Sequence, residues 1–137
     1  MAIFTKPLST NTRNWVDLDL DFTAHPVTKD IVFKKDVEAV KRSVRNLIRT
    51  NQYERPFQPD IDGGVTRYLF ELPTPHIKHD LENSIRICLQ NHEPRVTVLN
   101  VEAHTDIDRN GFNVSIMFRV INTPQPVTID LFLERLR

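Results

Sequence analysis

The chain has 137 residues with 18 Lys+Arg against 18 Asp+Glu, and this formal charge of zero excludes a globally basic nucleic-acid binder and an acidic tail protein. Its length suits a single domain, residues 1–137, and a hydrophobic content of 39% is enough for a modest core. A lone cysteine, Cys88, excludes a disulfide framework or a multi-cysteine metal site within the chain; no apolar run approaches the ~20 residues of a membrane span, and the first residues lack the apolar stretch of a secretory leader.

Residues 1–14 are rich in Pro, Thr and Asn after a short apolar start and read as an extended arm with no core of its own. In the next segment Val16, Leu18, Leu20 and Phe22 alternate with Asp17, Asp19 and Asp21. This period of two predicts a short half-buried strand or extended segment with one apolar and one acidic face, broken at His25-Pro26. Asp36 is a good N-cap for a helix over 36–52, whose apolar stripe is Val37, Val40, Val44, Leu47 and Ile48. Residues 53–64 form a loop with two prolines and Gly63-Gly64, followed by one or two helical turns between Val65 and Leu72. Thr74-Pro75 starts a second helix, 74–91, with a buried stripe of Ile77, Leu81, Ser84, Ile85 and Cys88; it ends before Pro94.

The last third, 95–134, has strand periodicity. Val96 and Val98 lie on one parity and Leu99, Val101 and Ala103 on the other, which predicts a bulge at Val98-Leu99. Asp108-Arg109-Asn110-Gly111 is a hairpin turn. Phe112, Val114, Ile116, Phe118 and Val120 then alternate, as do Val127, Ile129, Leu131 and Leu133. The sum is an α+β fold: two main helices packed on a C-terminal antiparallel three-stranded meander, preceded by the N-terminal arm.

Candidate chemistry is sparse. His76 and His79 sit three apart at a helix start, but only Asp80 and His104 offer themselves as further metal ligands, and a solvated helix start accounts for the pair. Asp17, Asp19 and Asp21 are spaced by roughly 6.6 Å along a strand, a separation glycosidase carboxylates can have. The polar face of any half-buried strand gives the same pattern, and one Trp does not line a sugar cleft. Gly63-Gly64 lacks the Lys-Ser/Thr of a phosphate loop, and Cys88, on a buried stripe without a base, reads as inert core.

Three features carry more. Lys41, Arg45 and Arg49 follow one another four apart with Arg42 beside them, Glu38 offsetting Arg42. This is a solvated face or one that meets an acidic partner; neutral charge and the lack of interleaved aromatics argue against nucleic acid. In Asn91-His92-Glu93-Pro94-Arg95, Pro94 fixes the chain between two opposite charges, each free to pair elsewhere. The last strand is either internal or a free edge open to another chain.

Taken in order, Trp15-Val16-Asp17-Leu18-Asp19-Leu20-Asp21-Phe22, the helix from Asp36 to Thr50, Arg55-Pro56-Phe57-Gln58-Pro59, Gly63-Gly64, Leu69-Phe70-Glu71 and Glu93-Pro94-Arg95 resemble the small baseplate wedge proteins of contractile-tailed phages, relatives of a type VI secretion baseplate component. Gln58 and the Gly-Gly pair depart from the acidic residue and single glycine expected there. The resemblance implies a structural protein of the virion tail baseplate, assembled in the host cytoplasm, with no catalytic residue, metal or cofactor. It implies that the first helix, through Val37, Val40, Val44, Leu47, Arg42, Arg45 and Arg49, joins a bundle with other wedge subunits, typically two copies of a larger wedge protein. It also implies that Glu93, Pro94 and Arg95 make contacts in that assembly. The strand region, with Ile129, Leu131 and Leu133, would link to the tail sheath protein and template its polymerisation; tube or hub proteins are further neighbours, nucleic acid and membrane are not. The alternative is a lysozyme-like peptidoglycan hydrolase working through two acidic residues.

Overall fold

The computed structural model describes residues 15–72, 74–121 and 123–135; the arm expected over 1–14 lies outside them. The described chain runs β1 (Val16–Leu18), β2 (Phe33–Lys35), α1 (Asp36–Arg49), α2 (Val65–Leu69), α3 (Pro75–His92), β3 (Val96–Asp106), β4 (Gly111–Val120) and β5 (Pro126–Glu134), an α+β architecture. β1 and β2 form a small antiparallel hairpin with Leu18 opposite Phe33. β3, β4 and β5 form the antiparallel meander in that spatial order, so β4 is central and β3 and β5 are edges.

The meander follows its pattern. Phe112, Val114, Ile116, Phe118 and Val120 are all buried on one face of β4, as are Ile129, Leu131 and Leu133 on β5. The register of β3 against β4 shifts between Val98 and Asn100, leaving Leu99 as the extra residue. That bulge moves the inward parity from Val96 to Val101 and Ala103, and so keeps both ends of an 11-residue strand on the core. The Asn110 backbone, at φ 52°, takes the left-handed conformation that the turn before Gly111 needs.

α3 begins as expected: the Thr74 hydroxyl accepts from the Ile77 N–H, and Pro75 occupies the first turn. Leu81, Ile85, Cys88 and Leu89 form its buried stripe, and α3 lies against β3 and α1. α1 ends at Thr50, whose N–H and hydroxyl both bond to the Asn46 carbonyl. Its start corrects the expectation: Asp36 is not the cap. Lys35 holds the cap position with no side-chain bond, and Asp36 lies in the first turn, where its charge faces the positive end of the helix. Gly63 and Gly64 have a packing reason. A Cβ on Gly63 would run into the Ile48 carbonyl, and one on Gly64, at φ 65°, into the Ser84 hydroxyl. The loop therefore crosses α1 and α3 at backbone distance, which the glycine pair permits.

β1 is short, as expected, at three residues, but its apolar side chains are not the buried ones. Val16 is 51% exposed and Phe22 67%, with Leu18, Leu20 and Phe33 also exposed, whereas Asp19 is 2% exposed. Asp19 alone of the three acids is buried, Asp17 being half-buried and Asp21 exposed, and it turns inward toward Lys34 and Arg42.

Candidate functional site: an ionic groove and an open sheet edge

α1 lies behind β1 and presents Arg42 to it. Arg42 pairs with Asp21 and lies 3.9 Å from Asp19, while Lys34 on β2 reaches Asp19 at 3.5 Å. A buried carboxylate is tolerated only with such partners. The Arg42 hydrogen bond holds the Asp21 carboxyl below its ordinary range. Arg42 is thus not offset by Glu38, which pairs instead with Lys41 at 2.7 Å. Arg45 is half-buried and Arg49 exposed, and neither has an ion pair among the described residues.

The Glu93-Pro94-Arg95 loop follows α3 and comes back onto α1 and β1. Pro94 sets the two flanking side chains on the same side, and they bond to each other rather than elsewhere. The Arg95 guanidinium donates from Nε to Glu93 Oε1 at 2.7 Å and from Nη2 to Oε2 at 2.9 Å. This is the two-pronged geometry in which an arginine holds a carboxylate most firmly. The Ser43 hydroxyl of α1 also donates to Glu93, and Arg95 Nη1 reaches Asp17 of β1 at 3.4 Å. Glu93 is 3% exposed. Burial pushes its carboxyl up, but the bonds from Arg95 and Ser43, together with the Arg95 charge, outweigh that and hold it below its ordinary value. One ionic network therefore ties the end of α3 to the middle of α1 and to β1, three elements distant in sequence.

These groups wall a groove of about 610 Å³. Leu18 and Leu20 supply its apolar side, Arg42 and Asn46 of α1 its floor, and Arg55 and the Pro94 loop its far rim. Val40 and Val44 lie behind that floor in the chain's own core, Leu47 is a core residue that also lines the groove, and Val37 is half-buried, so the face of α1 left outward is mostly polar. No group of three possible metal ligands occurs among the described residues. Burial pushes the Cys88 thiol up to about 11, the behaviour of an unreactive core cysteine.

The second feature is at the other end of the core. β3 and β5 are both edges, but they are finished differently. α3 packs along β3, and its Glu82 carboxylate accepts from the Ala103 N–H at 2.8 Å, so one outward donor of that edge is closed. No described strand or helix pairs with the outer side of β5. The Arg135 N–H bonds to the Asn110 carbonyl at 3.0 Å, which fixes the phase of the ladder. In an antiparallel pair, residues alternate between bonding to the neighbour and facing away. Residues 135, 133, 131 and 129 therefore bond inward, and Thr128, Asp130, Phe132 and Glu134 direct their N–H and C=O groups outward. Ile129, Leu131 and Leu133 contribute side chains to the core and not to the edge.

Sequence reasoning placed Glu93, Arg95 and Arg42 in the site but missed their partners, Ser43, Asp17 and Asp19. It had no sign of Glu82, an ordinary helix-surface acid until α3 is set against β3.

The comparisons agree with this architecture. The chain matches the family described as "Baseplate wedge protein gp25" over residues 34–125. It is 30% identical over 99 residues to the baseplate wedge protein gp25 of Enterobacteria phage T4, a match spanning 72% of this chain and 75% of that one. Among solved structures it is similar to a chain of the anti-feeding prophage baseplate (TM-score 0.63, 20% identity, 90% of this chain and 88% of that one). It is also similar to a chain of the post-contraction pyocin R2 baseplate (0.56, 15%, 86% and 98%). A crystal structure described as a tail lysozyme of Geobacter sulfurreducens shares the fold as well (0.66, 22%, 72% and 89%). The class is that of structural components of contractile-tail baseplates. The chain belongs to the gp25 baseplate wedge family.

Proposed function

We propose that this wedge component starts tail-sheath assembly by accepting a strand of the sheath protein on the outer side of β5, while its ionic groove docks the helices of other wedge subunits, two copies of a larger wedge protein. The observation that carries the reading is the unequal treatment of the two sheet edges: β3 is packed by α3 and partly closed by Glu82, and β5 keeps a run of outward backbone groups. Exposed edges invite strand pairing and are ordinarily blunted. The groove suits the second half of the reading. It presents an apolar wall and cationic groups on a frame already fixed by the Glu93–Arg95 pair, so a partner need not order it on arrival. On this reading Val40 and Val44 support the groove from behind, Leu47 lines it, and contact with a partner falls to Arg45, Arg49 and the loop at Pro94. The protein would sit in the virion tail, assembled in the host cytoplasm, with tube or hub proteins as further neighbours.

A lysozyme-like activity is the rival. A glycosidase acid needs a carboxyl whose pKa is raised, beside a second free carboxylate. Here Glu93 is held low by Arg95 and Ser43, and Asp19 and Asp21 are engaged by Arg42. Those pairings favour the structural reading.

The test is Thr128→Pro. Proline removes an outward N–H without touching a bond to β4. Wedges and baseplates carrying it should assemble, and sheath should fail to polymerise on them. Normal sheath growth on such baseplates would contradict the templating role.

A further inference from the structure

The edge of β5 is not chemically neutral. Its outward residues also point their side chains to the solvent face of the sheet, and these are Thr128, Asp130, Phe132 and Glu134. The acids are four residues apart, at alternate outward positions. Neighbouring positions on the same face do not neutralise them: Asp130 faces Ser115, which donates to it, and Glu134 faces Gly111. Neither forms a salt bridge among the described residues, and Glu102 on β3 adds a further acid to this face. The Arg109 guanidinium lies 5.5 Å from the centre of the Phe132 ring, over that ring and not on either carboxylate. The outward positions of β5 itself, where a new strand would lie, therefore carry two acids and no cation; Arg119, the exposed cation of β4 on this face, lies opposite Pro126 at the far end of the strand.

We infer, resting on the strand-addition reading, that the segment accepted by β5 is a basic one: a strand whose solvent-facing positions opposite Asp130 and Glu134 carry Lys or Arg, four residues apart, with apolar residues between them continuing the row of Ile129, Leu131 and Leu133. Side chains directly opposite in an antiparallel pair attract or repel according to charge. The same acids act against the commonest error of an open edge, pairing with a second copy. A symmetric β5–β5 pair centred on Phe132 sets Asp130 against Glu134 twice, and one centred on Asp130 sets that residue against itself. The edge thus carries both an invitation and a filter.

Two synthetic nine-residue peptides test this, each alternating Val with polar residues, one with Lys at the two solvent-facing positions four apart and the other with Glu there. Amide hydrogen exchange of the full chain is followed at low ionic strength. The Lys peptide should slow exchange at Thr128, Asp130, Phe132 and Glu134, and do so at a concentration about tenfold lower than the Glu peptide. In Asp130→Lys/Glu134→Lys the order of the two peptides should reverse, which separates charge selection from loss of fold. Equal protection by both peptides overturns the charge filter while leaving strand addition standing. Protection by neither overturns strand addition itself. Slowed exchange that grows with protein concentration alone would identify the occupant as a second copy and overturn the filter.

Discussion

Glu93 is an acid whose two oxygens are both engaged inside the molecule, one by Arg95 Nε and the other by Arg95 Nη2 and Ser43. Removing one partner of such a pair leaves the other desolvated and unmatched. Because Arg95 keeps some solvent contact and Asp17 at 3.4 Å, Glu93→Ala should cost about 2–3 kcal/mol, below the figure for a fully buried pair. Urea denaturation checks this, and a loss under ~0.5 kcal/mol would show that the network adds nothing to the fold. The same carboxyl sets an acid limit. Its pKa in the folded chain lies below the 4.5 of an unperturbed glutamate, so the folded state binds this proton less readily than the unfolded one. Its contribution is complete above about pH 4.5 and is lost as pH falls through the lower folded value. The melting temperature of the native chain should therefore drop more steeply below pH 4.5 than that of Glu93→Gln, which has no proton to take up there.

At the scale of elements, β5 does two jobs with alternate residues. Odd positions hold the ladder to β4 and the core, and even positions offer bonds outward. Proline substitution separates them. Thr128→Pro should fold with a melting temperature within a few degrees of the native chain, since an edge proline with its missing N–H on the solvent side is tolerated. Leu131→Pro removes a bond to β4 and a core side chain together, and should fail to give a cooperative thermal transition. Circular dichroism on the two variants reads the phase of the ladder directly; the opposite ranking would place the outward groups on the odd residues. α3 shows how the other edge is kept from competing, with Glu82 anchored to Ala103 and Lys78 3.8 Å away on the next turn of the helix.

For the molecule as a whole, what the sequence could reveal was whatever is set locally. Thr74-Pro75, the stop before Pro94, the parity break at Val98-Leu99 and the alternation from Phe112 to Val120 each follow from residues close together, and each stands where expected. The orientation of β1 was not legible. Alternation says that two faces differ but not which one meets the core, and here Lys34 of β2 and Arg42 of α1 hold Asp19 inside while Val16, Leu18 and Leu20 stay exposed. Nor could Glu93 and Arg95 be matched to each other before the Pro94 turn was seen to bring them together, with Ser43 arriving from 50 residues away. The resemblance to baseplate wedge proteins does not depend on either point, because it rests on the order of several short segments and not on which way any one of them faces.

The most direct measurement is amide exchange at β5 in the free chain and in the assembled tail. Thr128, Asp130, Phe132 and Glu134 should exchange rapidly in the isolated protein and in sheathless baseplates, and slow markedly once the first sheath ring is in place. Rapid exchange of those four amides in fully sheathed tails, or slow exchange in the isolated chain, would contradict strand addition at β5.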